Sequence, residues 1–263
     1  MAKKQEKLNE DLLEAVKNES LTAAKKAIDS GADVDCRSKD GHNPILKAHS
    51  PEVTKLLIDS GANVNIRAHK DYDNTALMRS LGYEVMQEGS NYSRITKHLS
   101  DAGADVEVKD LAGKNALMVS KSLEATNLLI GAGADVNAKD YKGNSVLMHS
   151  LNKSFHFLEE ERMEIVEKLV HEGADVNYQR KSDLKTPLML VQDVSDAQFL
   201  LAAEADITAK DAEGKMPHEQ EMFNHEKDIQ AYLRNAHLNH VVEPVNEVEE
   251  EYEYEPVQQR QRL

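Results

Sequence analysis

A five-residue phrase recurs along the chain: GADVD from Gly31, GANVN from Gly61, GADVE from Gly103, GADVN from Gly133 and GADVN from Gly173. Five copies confine the chain to a repeat architecture, in which each unit buries its apolar face only against its neighbours. A sixth, degenerate copy, EADIT from Glu204, loses the glycine but keeps Asp206 and Ile207 in place. Most copies lead into a turn signal and a short apolar run, such as KDGHNPIL, KDLAGKNALM, KDYKGNSVLM and KDAEGKMP. Asp-x-x-Gly suits a tight hairpin, because Asp bonds backbone amides ahead of it and Gly takes a positive φ without strain. The Thr or Ser that follows can cap a helix, as Thr75, Ser145 and Thr186 can. Apolar-periodic segments come next, the second reading PEVTKLLIDSG, LEATNLLIGAG or RMEIVEKLVHEG, with Gly just past the end in each. The expected fold is all-α, a solenoid of helix-turn-helix units with β-hairpin tips.

The phrase GADVN, the Asp-x-x-Gly turn and the run Thr186-Pro187-Leu188 together resemble the ankyrin-repeat family over roughly residues 8 to 236. The resemblance implies a protein-binding scaffold without catalytic activity or cofactor, whose partner lies against the hairpin tips and the concave face of the first helices. Carried onto this chain, the partner-facing tip residues are Arg67, His69, Tyr72, Leu111, Lys114, Tyr141, Lys142, Asn144, Tyr178, Arg180 and Lys185. These tips are basic and aromatic, so an acidic or phosphorylated partner segment fits them. One departure stands out: the family carries His after Pro-Leu, whose ring bonds the Thr hydroxyl, whereas Met78, Met118, Met148 and Met189 fill that place here. Methionine packs adaptably but specifies geometry poorly, which implies a softer array than a consensus one.

The copies start at 31, 61, 103, 133, 173 and 204, so the intervals are 30, 42, 30, 40 and 31, against about 33 for the family. Short and long repeats alternate. The extra residues fall between the two helices of a repeat, around 82–93 and 151–161, and are expected to lengthen the helical pair. With stacked helices about 8–10 Å apart, the two long repeats stand about 20 Å apart across a short one. Either they form a notch for one partner helix, floored by Ser120, Lys121 and Ser122 and walled by Tyr83, Tyr92, Phe155 and Phe157, or the insertions are loop decoration.

Residues 1–30 read as a capping helix pair, with Ser20 placed to start the second; residues 31–203 as the five repeats; and residues 204–236 as a degenerate capping repeat. Residues 237–263, with seven glutamates between Glu243 and Glu255, read as a disordered acidic tail. Its roles divide among solubility, an arm folding back on the basic tips, and a Glu-rich export signal like those on effectors that intracellular bacteria inject through type IV secretion. Phosphorylation at Tyr252 or Tyr254 is a further reading.

Composition sets the remaining bounds. The chain of 263 residues is 40% hydrophobic with 4 Phe, 8 Tyr and no Trp, which suits helices packed through aliphatic side chains. A net charge of -15 repels nucleic acid. The single cysteine, Cys36, cannot form an internal disulfide, the stretch MAKKQEKLNEDLLEA lacks the apolar core expected of a secretory signal, and no run of 18 apolar residues occurs. The expectation is a cytoplasmic monomer with a protein partner, away from membranes and nucleic acid, or a protein secreted into a host cell. His237 and His240 lie three apart without a third ligand at useful spacing, and Cys36 has no neighbouring base, so neither metal nor thiol chemistry is expected. An enzyme hidden in the scaffold would need convergent titratable groups that the spacing does not supply.

Overall fold

The computed structural model describes residues 2–38, 41, 43–68, 74–83, 91–152, 159–220 and 227–242. Helices α1 (Ala2–Lys17), α2 (Leu21–Asp29), α3 (Pro44–Lys47), α4 (Pro51–Asp59), α5 (Ala76–Tyr83), α6 (Asn91–Asp101), α7 (Ala116–Val119), α8 (Leu123–Gly131), α9 (Val146–Ser150), α10 (Glu159–His171), α11 (Val194–Ala202) and α12 (Lys227–Val242) alternate between two rows. The 3-10 turns Pro187–Leu190 and Pro217–Glu219 continue the inner row of α1, α3, α5, α7 and α9. Between the rows runs one core of aliphatic residues, from Leu12 and Val16 through Leu57, Leu99, Leu129 and Leu169 to Leu200 and Leu233. In the first long repeat both helices are longer, α5 and α6 having 8 and 11 residues against 4 and 9 for α7 and α8, whereas in the second α10 has 13 and α9 only 5.

Side chains close the helix ends as the sequence implies. Ser20, Ser50 and Ser122 accept from the third residue of the outer helices α2, α4 and α8. Thr75, Asn115 and Ser145 do the same for α5, α7 and α9 through Met78, Met118 and Met148. Thr186 departs from its expected role. It makes no cap bond, the segment after it is a 3-10 turn, and its hydroxyl is buried without a partner. In the tighter 3-10 turn the Met189 amide donates to the Thr186 carbonyl at 3.1 Å and so does not reach the hydroxyl that Thr75 offers Met78 in α5. The outer helices α2, α4, α6, α8, α10 and α11 end in a Schellman motif; Gly61, at φ +87, donates to Ile58 while Ala62 donates to Leu57.

The tips are tight turns with little β structure. Two isolated antiparallel bridges, Arg67 with Thr75 and Lys139 with Ser145, are the pairings among the described residues. Asp110 holds its turn by accepting from the amides of Ala112 and Lys114, both at 2.8 Å, and Asp211 does the same for Glu213 and Lys215 at 2.9 Å.

The recurring phrase acts between repeats. Its third residue accepts from the amide two positions on, and its fifth reaches the next repeat. Asn137 accepts from the amide of Asp175 at 2.8 Å and donates to the carbonyl of Gly173 at 2.9 Å. Asn177 clamps Asp206 and Glu204, and Asn65 clamps Asp105 and Gly103, in the same way. Gln5 and Asn9 of α1 supply the equivalent bonds to Gly31 and Asp33, which is how the first helix pair docks. At the other end α12 runs to Val242, six residues past the expected limit of the array, with Ile229 and Leu233 buried and His237 stacked on His218 at 4.8 Å. Residues 243–263, including Tyr252 and Tyr254, lie outside the described residues.

Candidate partner-binding ridge

The tips stack on one another through a second ladder. Arg67 donates to the carbonyl of Lys109 at 2.6 Å, Lys109 to that of Lys139 at 2.8 Å, and Gln179 to that of Lys210 at 3.1 Å. Lys139 lies 4.4 Å over the ring of Tyr178, whose hydroxyl donates to the carbonyl of Gly143 at 3.0 Å. Arg180 donates to Asn144 in the neighbouring tip and grips Asp183 with two nitrogens. Of the residues expected to face a partner, Arg67, Asn144, Tyr178 and Arg180 are therefore half-buried and join tip to tip. The long arms read as partner contacts are the array's internal ties. His69 and Tyr72 lie outside the described residues.

What the ladder leaves outside is apolar. Five large hydrophobic side chains are exposed among the described residues, and three occupy consecutive tips: Leu111 at 68%, Tyr141 at 71% and Leu184 at 42% exposure. Lys114, Lys142, Lys181 and Lys185 flank them, with Lys142 and Lys181 exposed. The carboxylates of the same tips face inward. Burial works to raise the Asp140 carboxyl, yet bonds from Asn144 and from His149, the latter at 3.0 Å, bring it below the ordinary carboxylate range. Arg180 holds the Asp183 carboxyl low in the same way. The ridge thus presents apolar anchors and ammonium groups while its acids are paired within the fold.

Two backbone details fix the anchors. Tyr141 donates its amide to the carbonyl of Ala112 in the preceding tip, at 3.1 Å. A Cβ on Gly113 would stand 2.5 Å from that amide nitrogen and 2.6 Å from the ring, so only glycine lets the two tips meet. Leu184 sits at φ +57, in the place that Gly113, Gly143 and Gly214 hold in their own tips at φ +81, +84 and +79. A leucine there carries about 1–2 kcal/mol of strain. Sequence reading missed Leu184 and Lys181, because the turn from Arg180 is one residue longer than its relatives and hides the alignment.

The proposed notch loses one wall. Tyr92 is buried in α6, edge-on to His49 at 6.4 Å, because it occupies the position where Ser50 and Ser122 cap their helices and turns into the core. Ser120 and Ser122 in the floor are equally committed, to Thr126 and to the cap of α8. Phe155, Phe157 and the side chain of Tyr83 lie outside the described residues. A groove of about 870 Å³ crosses α8, α10 and α11 on the opposite, outer face, lined by Glu164, Glu167, Lys168 and His171 with Leu123 and Phe199.

Chemistry-bearing groups are quiet. Burial and then Asp33 and Asp35 push the Cys36 thiol up to about 11, so it stays protonated at neutral pH. Among the described residues no group of three His, Cys, Asp or Glu is placed to hold a metal ion, and no helix is long and apolar enough to cross a membrane.

Comparison with known proteins agrees with this geometry. Residues 12–110 match a family described as ankyrin repeats in 3 copies. No curated protein sequence matches the chain. Among solved structures, the ankyrin-repeat domain of Bcl-3, described as a unique member of the IkappaB protein family, superposes with a TM-score of 0.68 at 24% identity, covering 85% of this chain and 97% of that one. The human ASB11 ankyrin-repeat domain gives 0.67 at 19% identity, covering 85% and 96%. Residues 12–110 thus match ankyrin repeats by sequence, and the stack as described has the ankyrin-repeat fold.

Proposed function

We propose that the chain is a non-catalytic scaffold that takes an acidic, apolar-anchored segment of a partner protein across the tips of its third, fourth and fifth repeats. The observation that carries this reading is Leu184, a large apolar residue held exposed in a strained backbone where glycine would be relaxed. Strain kept at a surface position points to a use for that position. Leu111 and Tyr141 continue the stripe, and Lys114, Lys142, Lys181 and Lys185 supply the complementary charge. Ankyrin repeats in general act as protein-interaction modules, which supports the class of function.

The test is a three-site variant, Leu111→Ser, Tyr141→Ser and Leu184→Asn, compared with a control on the outer groove, Phe199→Ser. Asparagine tolerates the left-handed backbone, so the variant is expected to keep its melting temperature. A specific partner captured by the parent and by the control, but lost by the ridge variant, upholds the reading. A partner kept by the ridge variant and lost by the control moves the site to the outer helices. A second reading rests on the Glu-rich sequence after Val242, which supports export of the chain into a host cell. It requires that translocation of a reporter depend on residues 243–263.

A further inference from the structure

We infer that the ridge is occupied in the resting protein by the chain's own acidic C-terminal segment, residues 243–257, which a partner must displace. This rests on the ridge being the binding surface and adds its regulation. Three observations carry it.

The first is where the segment starts. Helix α12 packs on α11, whose C-terminal end hands the chain to the final tip through the bonds of Glu204 and Ala205, and on the 3-10 turn that follows that tip. The Asp206 carboxyl there is held low chiefly by the Thr208 hydroxyl and in part by His240. The chain after Val242 is therefore released on the tip side of the stack. That final tip is tied to the tip of the fifth repeat by the amide of Ala212 donating to the carbonyl of Asp183 at 2.8 Å.

The second is reach. Neighbouring tips are about 10 Å apart, the spacing of stacked helices, so Leu184, Tyr141 and Leu111 span about 20 Å. An extended segment from 243 to 257 covers up to about 50 Å at roughly 3.3 Å per residue.

The third is chemistry. The segment EPVNEVEEEYEYEPV interleaves seven glutamates with Val245, Val248, Tyr252, Tyr254 and Val257. An extended strand advances about one tip for every three residues, and Val245, Val248, Tyr254 and Val257 fall on a single three-residue register. The ridge answers with apolar groups one per tip and lysines between them, and its carboxylates are turned inward. As a tethered ligand, such a segment acts at an effective concentration near the millimolar range, so even weak contacts hold it in place.

The experiment uses the full-length chain at dilution. Zero-length carbodiimide coupling joins a carboxylate to an amine only in contact, and the monomer band is digested and mapped by mass spectrometry. Couplings from glutamates 247–255 to Lys142, Lys181 or Lys185, suppressed by high salt, are expected. Couplings scattered evenly over lysines such as Lys25, Lys55 and Lys97, or their absence, would overturn the proposal. In parallel, full-length protein with Glu249, Glu250, Glu251 and Glu253 changed to Gln is compared with the parent. Hydrogen exchange at tip amides 110–115, 140–145 and 180–185 is expected to speed up. A synthetic peptide of residues 243–257 is expected to bind the Gln variant at least tenfold more tightly than the parent. Equal exchange and equal peptide affinity reject tail occupancy. If the ridge variant still loses a partner while the Gln variant behaves as the parent, the binding surface stands and only its self-occupancy falls.

Discussion

At the scale of single residues, the array is governed by which positions tolerate a left-handed backbone. Glu204 takes φ +64 in the place where Gly61, Gly133 and Gly173 end their helices, and the same pair of bonds forms, with Glu204 donating to Leu201 and Ala205 to Leu200. A non-glycine residue there carries about 1 kcal/mol of strain, so Glu204→Gly is expected to stabilise the fold by roughly that amount in urea titrations, less the extra freedom glycine gives the unfolded chain. Gly113→Ala acts the other way. It adds a positive-φ penalty to a collision with Tyr141 at 2.5 Å, and a loss above about 1 kcal/mol is expected, with faster exchange at the amides of tips three and four. The recurring phrase was plain in the sequence, yet the task of its fifth residue was not. Asn137 bonds Gly173 and Asp175, 36 and 38 positions away, and only the stacking of repeats shows that these atoms meet.

At the scale of elements, the second long repeat solves a packing problem that its neighbours do not have. Asp196 of α11 is 0% exposed in a slot filled by Val53, Ile95 or Ala125 in other repeats. Its charge is met by Arg162 of α10, itself 2% exposed, at 2.7 and 2.9 Å, and the same guanidinium reaches Asp193 at 2.8 Å. Glu161, one residue earlier, caps α8 in the other direction through the amide of Leu123. Removing one member of such a pair leaves a buried charge, so Arg162→Met is expected to cost about 3–5 kcal/mol, and Arg162→Met with Asp196→Ala much less than either single change summed. A second element-scale expectation concerns pH. His218 lies below its ordinary value because of burial first and His237 second, with Arg234 adding to the effect and Glu219 opposing it. Its folded form therefore binds fewer protons than the unfolded chain, so stability is full above about pH 6.5 and falls as pH drops below it. Thermal melts between pH 7.5 and 5.5 are expected to show this loss, and His218→Phe, which keeps the stack without a titrating ring, is expected to reduce it, the rest coming from His49 and His149, which burial also holds below their ordinary value. Periodicity located nearly every helix here, but the 3-10 turn after Thr186 and the run of α12 to Val242 depend on neighbours that no local pattern records.

At the scale of the whole molecule, the fold was legible because the phrase, the turn and the helix ends repeat in register. The ridge was legible only in part. Leu111, Tyr141, Lys142 and Lys185 stood out as tip residues, whereas Arg67 and Arg180 look identical in sequence to surface arms and prove to be ties between tips. A stack held in this way is quasi-one-dimensional, and its cooperativity depends on the joints between units. The joint between the fourth and fifth units carries two hydrogen bonds from Asn137, together with Tyr178 to Gly143 and Arg180 to Asn144. Breaking the clamp with Asn137→Ala is expected to cost about 1–2 kcal/mol, the net worth of two solvent-exposed hydrogen bonds to the next repeat. If nearest-neighbour coupling is what makes the array unfold as one, that loss also divides the transition. Urea unfolding followed by far-ultraviolet circular dichroism is expected to show a lower apparent slope for Asn137→Ala than for the parent. Hydrogen exchange should place the weakened part from Gly173 onward, with α2, α4 and α6 unchanged. A variant that loses the same free energy with an unaltered slope would mean that the core between the helix rows, and not the clamp, couples the repeats.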